Sequence, residues 1–280
     1  MAQEPDHHCS NCRRPLSGRW CAHCGQKVLA DSDRRFGHLL GQFAHELFHV
    51  NGKLPRTLGA LLGRPGQLST AYLKGQRVRY VSPIALFLII NLVYFVSPPM
   101  TDFNLDLEDQ YHMQPYSSLI QPLIDQRLAS RDIEFERYAR SYESANLNLA
   151  RSLIVVHLPL LALALMILFP RRRMYYAEHF IIATHLFSFL LVIVLVLPLT
   201  GFWLWRIGQP WLEIDPSTIF NVIRPVMVLL IVSHWLLAVR RIHTIGWLRS
   251  CLTTIALLLA LVISHFCFRA VQFLVVFGVT

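Results

Sequence analysis

Five long apolar stretches limit this chain to folds that place most of its length in lipid. They cover about residues 81–96, 152–169, 180–199, 218–239 and 251–268, and apolar residues resume after Arg269 as far as Val279. A membrane span needs about 20 such residues. Of the 280 residues, 54% are hydrophobic and 15% are charged, whereas about a quarter of a soluble domain is charged. The sequence therefore excludes an ordinary soluble globule and a disordered chain. It predicts an all-α polytopic membrane protein with about five transmembrane helices.

The net charges of the loops alternate in sign along the chain. They are +7 for residues 1–80, −4 for 97–151, +2 for 170–179, −1 for 200–217 and +3 for 240–250. Because positive loops stay in the cytoplasm, we expect a cytoplasmic N-terminus and an external, periplasmic C-terminus. The N-terminal residues contain no apolar signal-peptide core, so the first span would act as the insertion signal.

Two Cys-x-x-Cys pairs near the N-terminus, Cys9 with Cys12 and Cys21 with Cys24, have the spacing of a tetrahedral metal site. Each pair places two thiolates on one turn, and four sulfurs can close around Zn²⁺ at about 2.3 Å. Gly25 stands where such a turn needs a positive φ. Disulfides or free thiols are the alternatives, but a reducing cytoplasm disfavours disulfides. We therefore predict a small zinc ribbon over residues 1–30, stabilised by a structural Zn²⁺.

The partner of this ribbon remains open. A closed four-sulfur site has no position free for catalysis, which favours a docking or sensing role. Residues 13–35 are rich in Arg and Lys. Next to a bilayer this pattern favours anionic lipid headgroups or a cytoplasmic protein partner, and makes nucleic acid a less favoured partner. A homo-oligomer is also compatible with the sequence.

Residues 31–80 form an amphipathic juxtamembrane region ahead of the transmembrane domain at 81–280. Its histidines His38, His45 and His49 share one side of a predicted helix and are a second candidate metal site. His45, Glu46 and His49 also form the H-E-x-x-H pattern of zinc proteases. Pro55 occupies the third-ligand position of the longer pattern and cannot ligate. We therefore interpret the match as coincidental and predict no enzymatic activity, with a metallohydrolase as the least favoured alternative.

The segment before the first span has a distinctive order of residues. It contains Arg64-Pro65-Gly66, Tyr72-Leu73-Lys74-Gly75, Arg77, Tyr80 and Pro83, and it follows the four cysteines and Gln26. In this order the chain resembles an uncharacterised bacterial membrane family, domain-of-unknown-function family 3667, over about residues 9–96. The resemblance implies a zinc-ribbon head on a bacterial inner-membrane protein and implies no activity.

Basic and aromatic residues lie close to the predicted start of the first span. We expect Lys74, Arg77 and Arg79 to contact phospholipid phosphates, and Tyr72 and Tyr80 to join the interfacial aromatic belt. A purely topological role for these charges is the alternative.

Ionisable residues inside the predicted spans suggest a second function. His157, Arg224 and His265 fall in the outer third of their spans, and His185 and His234 in the inner third. Because such groups are unfavourable in lipid, the outer three are a candidate anion or proton site of a transporter or channel. Hydrogen bonding between helices is the alternative explanation. The external loop at 97–151 is predicted to contain one or two helices, the second continuing into the next span.

Overall fold

The computed structural model describes residues 8–28, 52–97, 105–170, 174–209, 211 and 215–280, without the side chains of 147–152 and 216. The chain is helical over most of these ranges, and residues 8–28 contain turns and two isolated β-bridges. The candidate site at His38, His45 and His49, with the H-E-x-x-H pattern, lies outside the described residues. So does the helix predicted for residues 36–50.

The helices are labelled here in chain order. They are α1 (Lys53–Gly63), α2 (Gln67–Leu73), α3 (Pro83–Val96), α4 (Leu107–His112), α5 (Ser117–Arg131), α6 (Phe135–Leu153), α7 (His157–Leu168), α8 (Tyr176–Gly208), α9 (Pro216–His243) and α10 (Trp247–Val279). A 3₁₀ turn at Ile154–Val156 joins α6 to α7. The predicted continuation of a helix from 97–151 into the second apolar stretch is therefore confirmed.

Within the described ranges, three helices are long and apolar enough to cross a membrane: α8, α9 and α10. The 33 residues of α8 and of α10 extend about 50 Å at 1.5 Å per residue, against a hydrocarbon core of about 30 Å. Both α9 and α10 carry rows of exposed aliphatic side chains: Val222, Val226, Leu229, Leu252, Ile255, Leu259 and Val262. Rows of this kind are typical of helix faces that contact lipid.

The other two predicted spans are shorter apolar helices, at Pro83–Val96 and Ile154–Leu168, so five spans are not confirmed. The 14 residues of α3 extend about 21 Å. This helix starts at Pro83, and the backbone turns out of helical geometry at Ser97. The second apolar stretch follows the polar α6 across the 3₁₀ turn.

Contacts divide the chain into two compact units. The first comprises the described parts of Met1–Ser97 and Leu158–Ala260, and the second those of Pro98–His157 and Leu261–Thr280. The N-terminal part of α10 therefore belongs to the first unit and its C-terminal part to the second.

In the first unit, α3 and α9 both pack along α8, the most buried of the three long helices. Phe87 of α3 meets Phe187 of α8 with ring centroids 6.2 Å apart. Trp235 of α9 is fully buried, and its indole Nε1 donates to the carbonyl of Leu186 at 3.2 Å. These contacts make α8 the centre of the unit.

The segment that connects α1 to α3 is seated against α8 and α9 by polar contacts. Ser69 Oγ lies 2.9 Å from Nδ1 of His185, and Nε2 of His234 lies 2.9 Å from the carbonyl oxygen of Leu61. Arg241 donates to the carbonyl of Pro65 at 3.1 Å. Because both long helices take part, the segment joins them at one end of the unit.

A glycine makes this seating possible. Gly66 has φ +74°, and a Cβ at this position would lie 2.8 Å from the carbonyl oxygen of Ala238. Both the left-handed backbone and the missing side chain are therefore required for the turn to approach α9.

The prediction for Tyr72 and Tyr80 is wrong, because both rings are buried in the protein instead of lying in the interfacial belt. The ring of Tyr72 packs with Ala177 and Ile181 of α8. The hydroxyl of Tyr80 accepts a hydrogen bond from Gln67 at 3.2 Å. The short α2 turns the ring of Tyr72 toward α8, a geometry that residue type alone does not reveal.

The second unit has its own apolar core, built from α4, α5, α6 and the last turns of α10. Ile124, Tyr142, Phe273 and Val276 are buried together. Arg127 of α5 lies over the ring of Phe277 with its guanidinium 3.6 Å from the centroid. The last apolar residues of the chain thus continue α10 as one helix and pack against the loop helices.

We predict that Gly66→Ala destabilises the protein by roughly 2–4 kcal/mol, through a strained φ and a clash with the Ala238 carbonyl. Gly63→Ala is the matched control, because no atom lies within 4 Å of its added Cβ. Thermal unfolding of the full chain in detergent would measure both variants. Similar changes in the two variants would contradict the proposed close approach.

Candidate metal centre

The first cysteine pair lies on a turn fixed by two backbone hydrogen bonds. Cys9 donates to the carbonyl of Arg14 at 2.8 Å, and Arg13 donates back to the carbonyl of Cys9 at 2.8 Å. An antiparallel bridge between His8 and Pro15 closes the turn. The thiols of the pair are thereby presented on the same side of a short loop.

The second pair repeats this arrangement. Cys21 donates to the carbonyl of Gln26 at 2.9 Å, and Gly25 donates to the carbonyl of Cys21 at 2.9 Å. A bridge between Trp20 and Lys27 closes the turn. The described N-terminal residues thus form two equivalent knuckles closed by single bridges.

Each turn needs one residue with positive φ directly after its second cysteine. Gly25 has φ +70° and confirms the prediction made from the sequence, while Arg13 has φ +62° at the equivalent position of the first turn. The sequence does not reveal the positive φ of Arg13, because a residue with a Cβ is disfavoured in this conformation.

The four sulfur atoms converge on one point. Cys9 and Cys24 are 3.6 Å apart, Cys12 and Cys21 are 3.6 Å apart, and all four ligand atoms lie within 4.8 Å of one another. A tetrahedral metal with bonds of about 2.3 Å separates its sulfurs by about 3.8 Å, whereas a disulfide joins them at about 2.05 Å. The cluster therefore fits a metal ion and can hold one.

The thiols also influence one another's ionisation. Burial raises the pKa of Cys24, but hydrogen bonds from the Asn11 side chain and the Gln26 backbone, with the neighbouring thiols, outweigh it and lower the pKa to about 6. The backbone of Arg14 favours the Cys12 thiolate, yet burial and the other thiols raise its pKa to about 12. Several thiolates this close together need a cation between them, which is the chemistry of a bound metal.

Gln26 fastens the second turn to the segment that leads into α3. Its side chain is buried, and its Oε1 accepts from the backbone N–H groups of Arg77 at 3.1 Å and Val78 at 3.2 Å. The hydroxyl of Ser10, on the first turn, also donates to the carbonyl of Gly75 at 3.4 Å. The two cysteine turns are therefore attached to the segment that leads into α3.

The three residues predicted to contact lipid phosphates differ in their surroundings. Lys74 and Arg79 are exposed, and Arg77 is half-buried with its guanidinium 4.7 Å above the ring of Tyr72. Arg79 lies 5.7 Å above the ring of Tyr80. A contact with lipid stays a prediction for all three.

Two of the three predicted intramembrane site residues lie in the same unit. The rings of His157 and His265 are 5.8 Å apart, and Phe268 packs 5.0 Å from His157. Arg224 belongs to the other unit and is exposed. A joint role for the three residues stays a prediction.

A second pair of histidines lies where α2 packs against α8 and α9. His185 and His234 line a cavity of about 10 Å³ together with Ser69, enough for one water molecule. The His234 ring stacks on Phe189 at 3.5 Å, and its Nδ1 has no hydrogen-bond partner among the described residues. The sequence placed both histidines at the same depth but gave no signal of Ser69.

Comparison with known proteins identifies one family. Residues 51–95 match the family described as "Protein of unknown function (DUF3667)". The family resemblance is thus confirmed over a narrower range than the 9–96 expected. The matched residues include α1, α2 and most of α3, which are the elements seated against α8, and they do not include the four cysteines. Among curated proteins and solved structures, none matches.

We predict that Gly25→Ala weakens Zn²⁺ binding by about tenfold, because a Cβ at positive φ costs about 1–2 kcal/mol in the metal-bound turn. Arg13→Gly should strengthen binding by a similar factor, since it removes that strain from the other turn. Competition with a chromophoric chelator would measure both. Gly18→Ala, with no atom within 4 Å of its Cβ, is the control. An equal effect at position 18 would contradict the turn geometry.

We predict that Gln26→Leu loosens the attachment of the turns without releasing the metal. The N–H groups of Arg77 and Val78 lose their acceptor, so their hydrogen exchange should accelerate by about tenfold or more. Gln67→Leu is the matched control, because Gln67 donates to a tyrosine hydroxyl and accepts from neither amide. Unchanged exchange at residues 77 and 78 in Gln26→Leu would show that this contact is absent in solution.

Proposed function

We propose that this chain is a multi-pass protein of the bacterial inner membrane whose N-terminal turns bind a structural Zn²⁺ and dock a cytoplasmic protein with an acidic surface. The observation that carries the proposal is the closed four-thiol cluster fastened by Gln26 to the membrane-approach segment. A docking module held in this way keeps a fixed position relative to the first membrane helix.

The donor set supports zinc as the metal. Four thiolates in tetrahedral spacing are typical of structural Zn²⁺ sites, and soft sulfur ligands exclude Mg²⁺ and Ca²⁺. A site closed by four protein ligands leaves no position for a substrate or a reactive water. We therefore propose that this head has no catalytic role.

The packing of the second unit supports five membrane crossings. The last turns of α10 pack with α5 and α6, so the loop helices lie on the same side of the membrane as the C-terminus. Since α10 starts on the other side, α3 and α7 carry the chain across and back. Helices this short can cross where the bilayer thins or their flanks extend. Positive loops then remain in the cytoplasm, together with the N-terminus.

The surface of the head supports an acidic protein partner. Residues 8–28 contain no Asp or Glu, and the exposed side chains include those of Arg13, Arg14 and Arg19. Trp20, next to Arg19 in the chain, has 61% of its surface exposed. An exposed tryptophan with surrounding arginines is typical of the centre of a protein interface.

A transporter or channel that uses His157, Arg224 and His265 is the alternative function. The contact between the two histidine rings favours it, whereas the exposure of Arg224 in the other unit gives it no support. Docking is preferred because the four thiols of the head lie close enough together to hold one metal ion.

A photo-crosslinking residue at position 17, an exposed position close to Arg19 and Trp20 in the chain, tests the docking function in cells. We expect one cytoplasmic protein with an acidic surface to be captured, because Trp20 and the arginines form the contact. Charge reversal by Arg19→Glu should reduce the yield about tenfold. A crosslinker at Met113, an exposed residue of the second unit, is the control and should not capture this protein.

The metal-free variant completes the test. Cys21→Ser with Cys24→Ser should abolish capture while the chain remains inserted in the membrane, since the turns lose their metal. Capture that survives this change would contradict a metal-dependent docking module. Crosslinks to phospholipid alone would show that the head contacts the bilayer and not a protein.

A further inference from the structure

A pocket of about 570 Å³ opens at the C-terminal end of α9, beyond every site described above. Its walls combine two arginines with apolar side chains: Pro65, Leu237, Arg240, Arg241, Thr244 and Ile245. All of these residues belong to the first unit. The pocket therefore combines positive charge with an apolar wall.

The first arginine has a donor that is still unused. Arg240 Nε is buried and has no hydrogen-bond partner among the described residues. Its guanidinium is held 4.0 Å above the ring of Trp247, the first residue of α10. Stacking fixes the plane of the guanidinium while its N–H groups remain available to an anion.

The second arginine is held by the turn that seats α2. Arg241 Nη1 donates to the carbonyl of Pro65 at 3.1 Å, which leaves its other N–H groups for a ligand. The side chain is exposed. Two guanidinium groups that line the same pocket, each positioned by one contact, can donate to the oxygens of a phosphate.

The position of the pocket on α9 fits a lipid headgroup. The 28 residues of α9 extend about 42 Å, more than the hydrocarbon core of about 30 Å, so its last turn lies at headgroup depth. Leu237 is exposed and continues the row of exposed aliphatic residues that includes Leu229 and Leu230. An acyl chain can follow this row away from the arginines.

We infer that this pocket binds an anionic phospholipid, with the phosphate on Arg240 and Arg241 and an acyl chain along α9. The apolar wall favours a lipid over a soluble phosphate, because a soluble anion gains nothing from Leu237 and Ile245. The inference depends on the membrane insertion proposed above and is independent of the docking function.

Native mass spectrometry of the full chain in detergent tests this site with phosphatidylglycerol, phosphatidylcholine and inorganic phosphate. We expect retention of phosphatidylglycerol and not of phosphatidylcholine. Arg240→Gln with Arg241→Gln should weaken retention about tenfold or more. Arg249→Gln is the control, because it removes an equal charge from an exposed arginine of α10 outside the pocket.

The other possible outcomes distinguish a bound lipid from a soluble anion and from unspecific charge. Displacement of the lipid by inorganic phosphate would overturn the inference in favour of a soluble-anion site. An equal loss in Arg249→Gln would overturn it in favour of unspecific charge. Because Arg241 also supports the Pro65 turn, Arg240→Gln alone should weaken binding with unchanged thermal unfolding. Normal lipid binding by Arg240→Gln would overturn the inference, even if the protein is fully inserted in the membrane.

Discussion

The segment from Leu61 to Val78 holds the first unit together, because it makes specific polar contacts on both of its sides. On one side its backbone and Ser69 bond to histidines of α8 and α9. On the other side the N–H groups of Arg77 and Val78 bond to Gln26. The metal-binding turns and the membrane helices do not need to touch each other directly, since each is fixed to the same short piece of chain.

This arrangement gives a physical meaning to the matched family segment. Residues 51–95 contain the tight turn at Gly66 that approaches the α9 backbone and the buried rings of Tyr72 and Tyr80. The turn and the buried rings are needed for packing and take no part in a described chemical site. The segment therefore defines a scaffold, and the cysteines outside it add a cluster that can hold a metal ion.

The sequence predicted what depends on local composition. Apolar stretches located the long helices, and paired cysteines located the metal site, because both signals lie within a few turns of chain. It left open how the apolar residues after Arg269 are arranged, because distant residues of α5 and α6 cover them. It was wrong for Tyr72, which is turned inward by its contact with α8. The positive φ of Arg13 was also missed, since it follows from the bond between Cys9 and Arg14 and not from residue type.

Zinc X-ray absorption of the purified full-length protein tests most directly whether the four thiolates hold the metal that organises the head. The account predicts one shell of four sulfur atoms at about 2.3 Å, with no nitrogen or oxygen ligand. A shell that contains nitrogen or oxygen, or protein purified with intact thiols and no bound zinc, would contradict it.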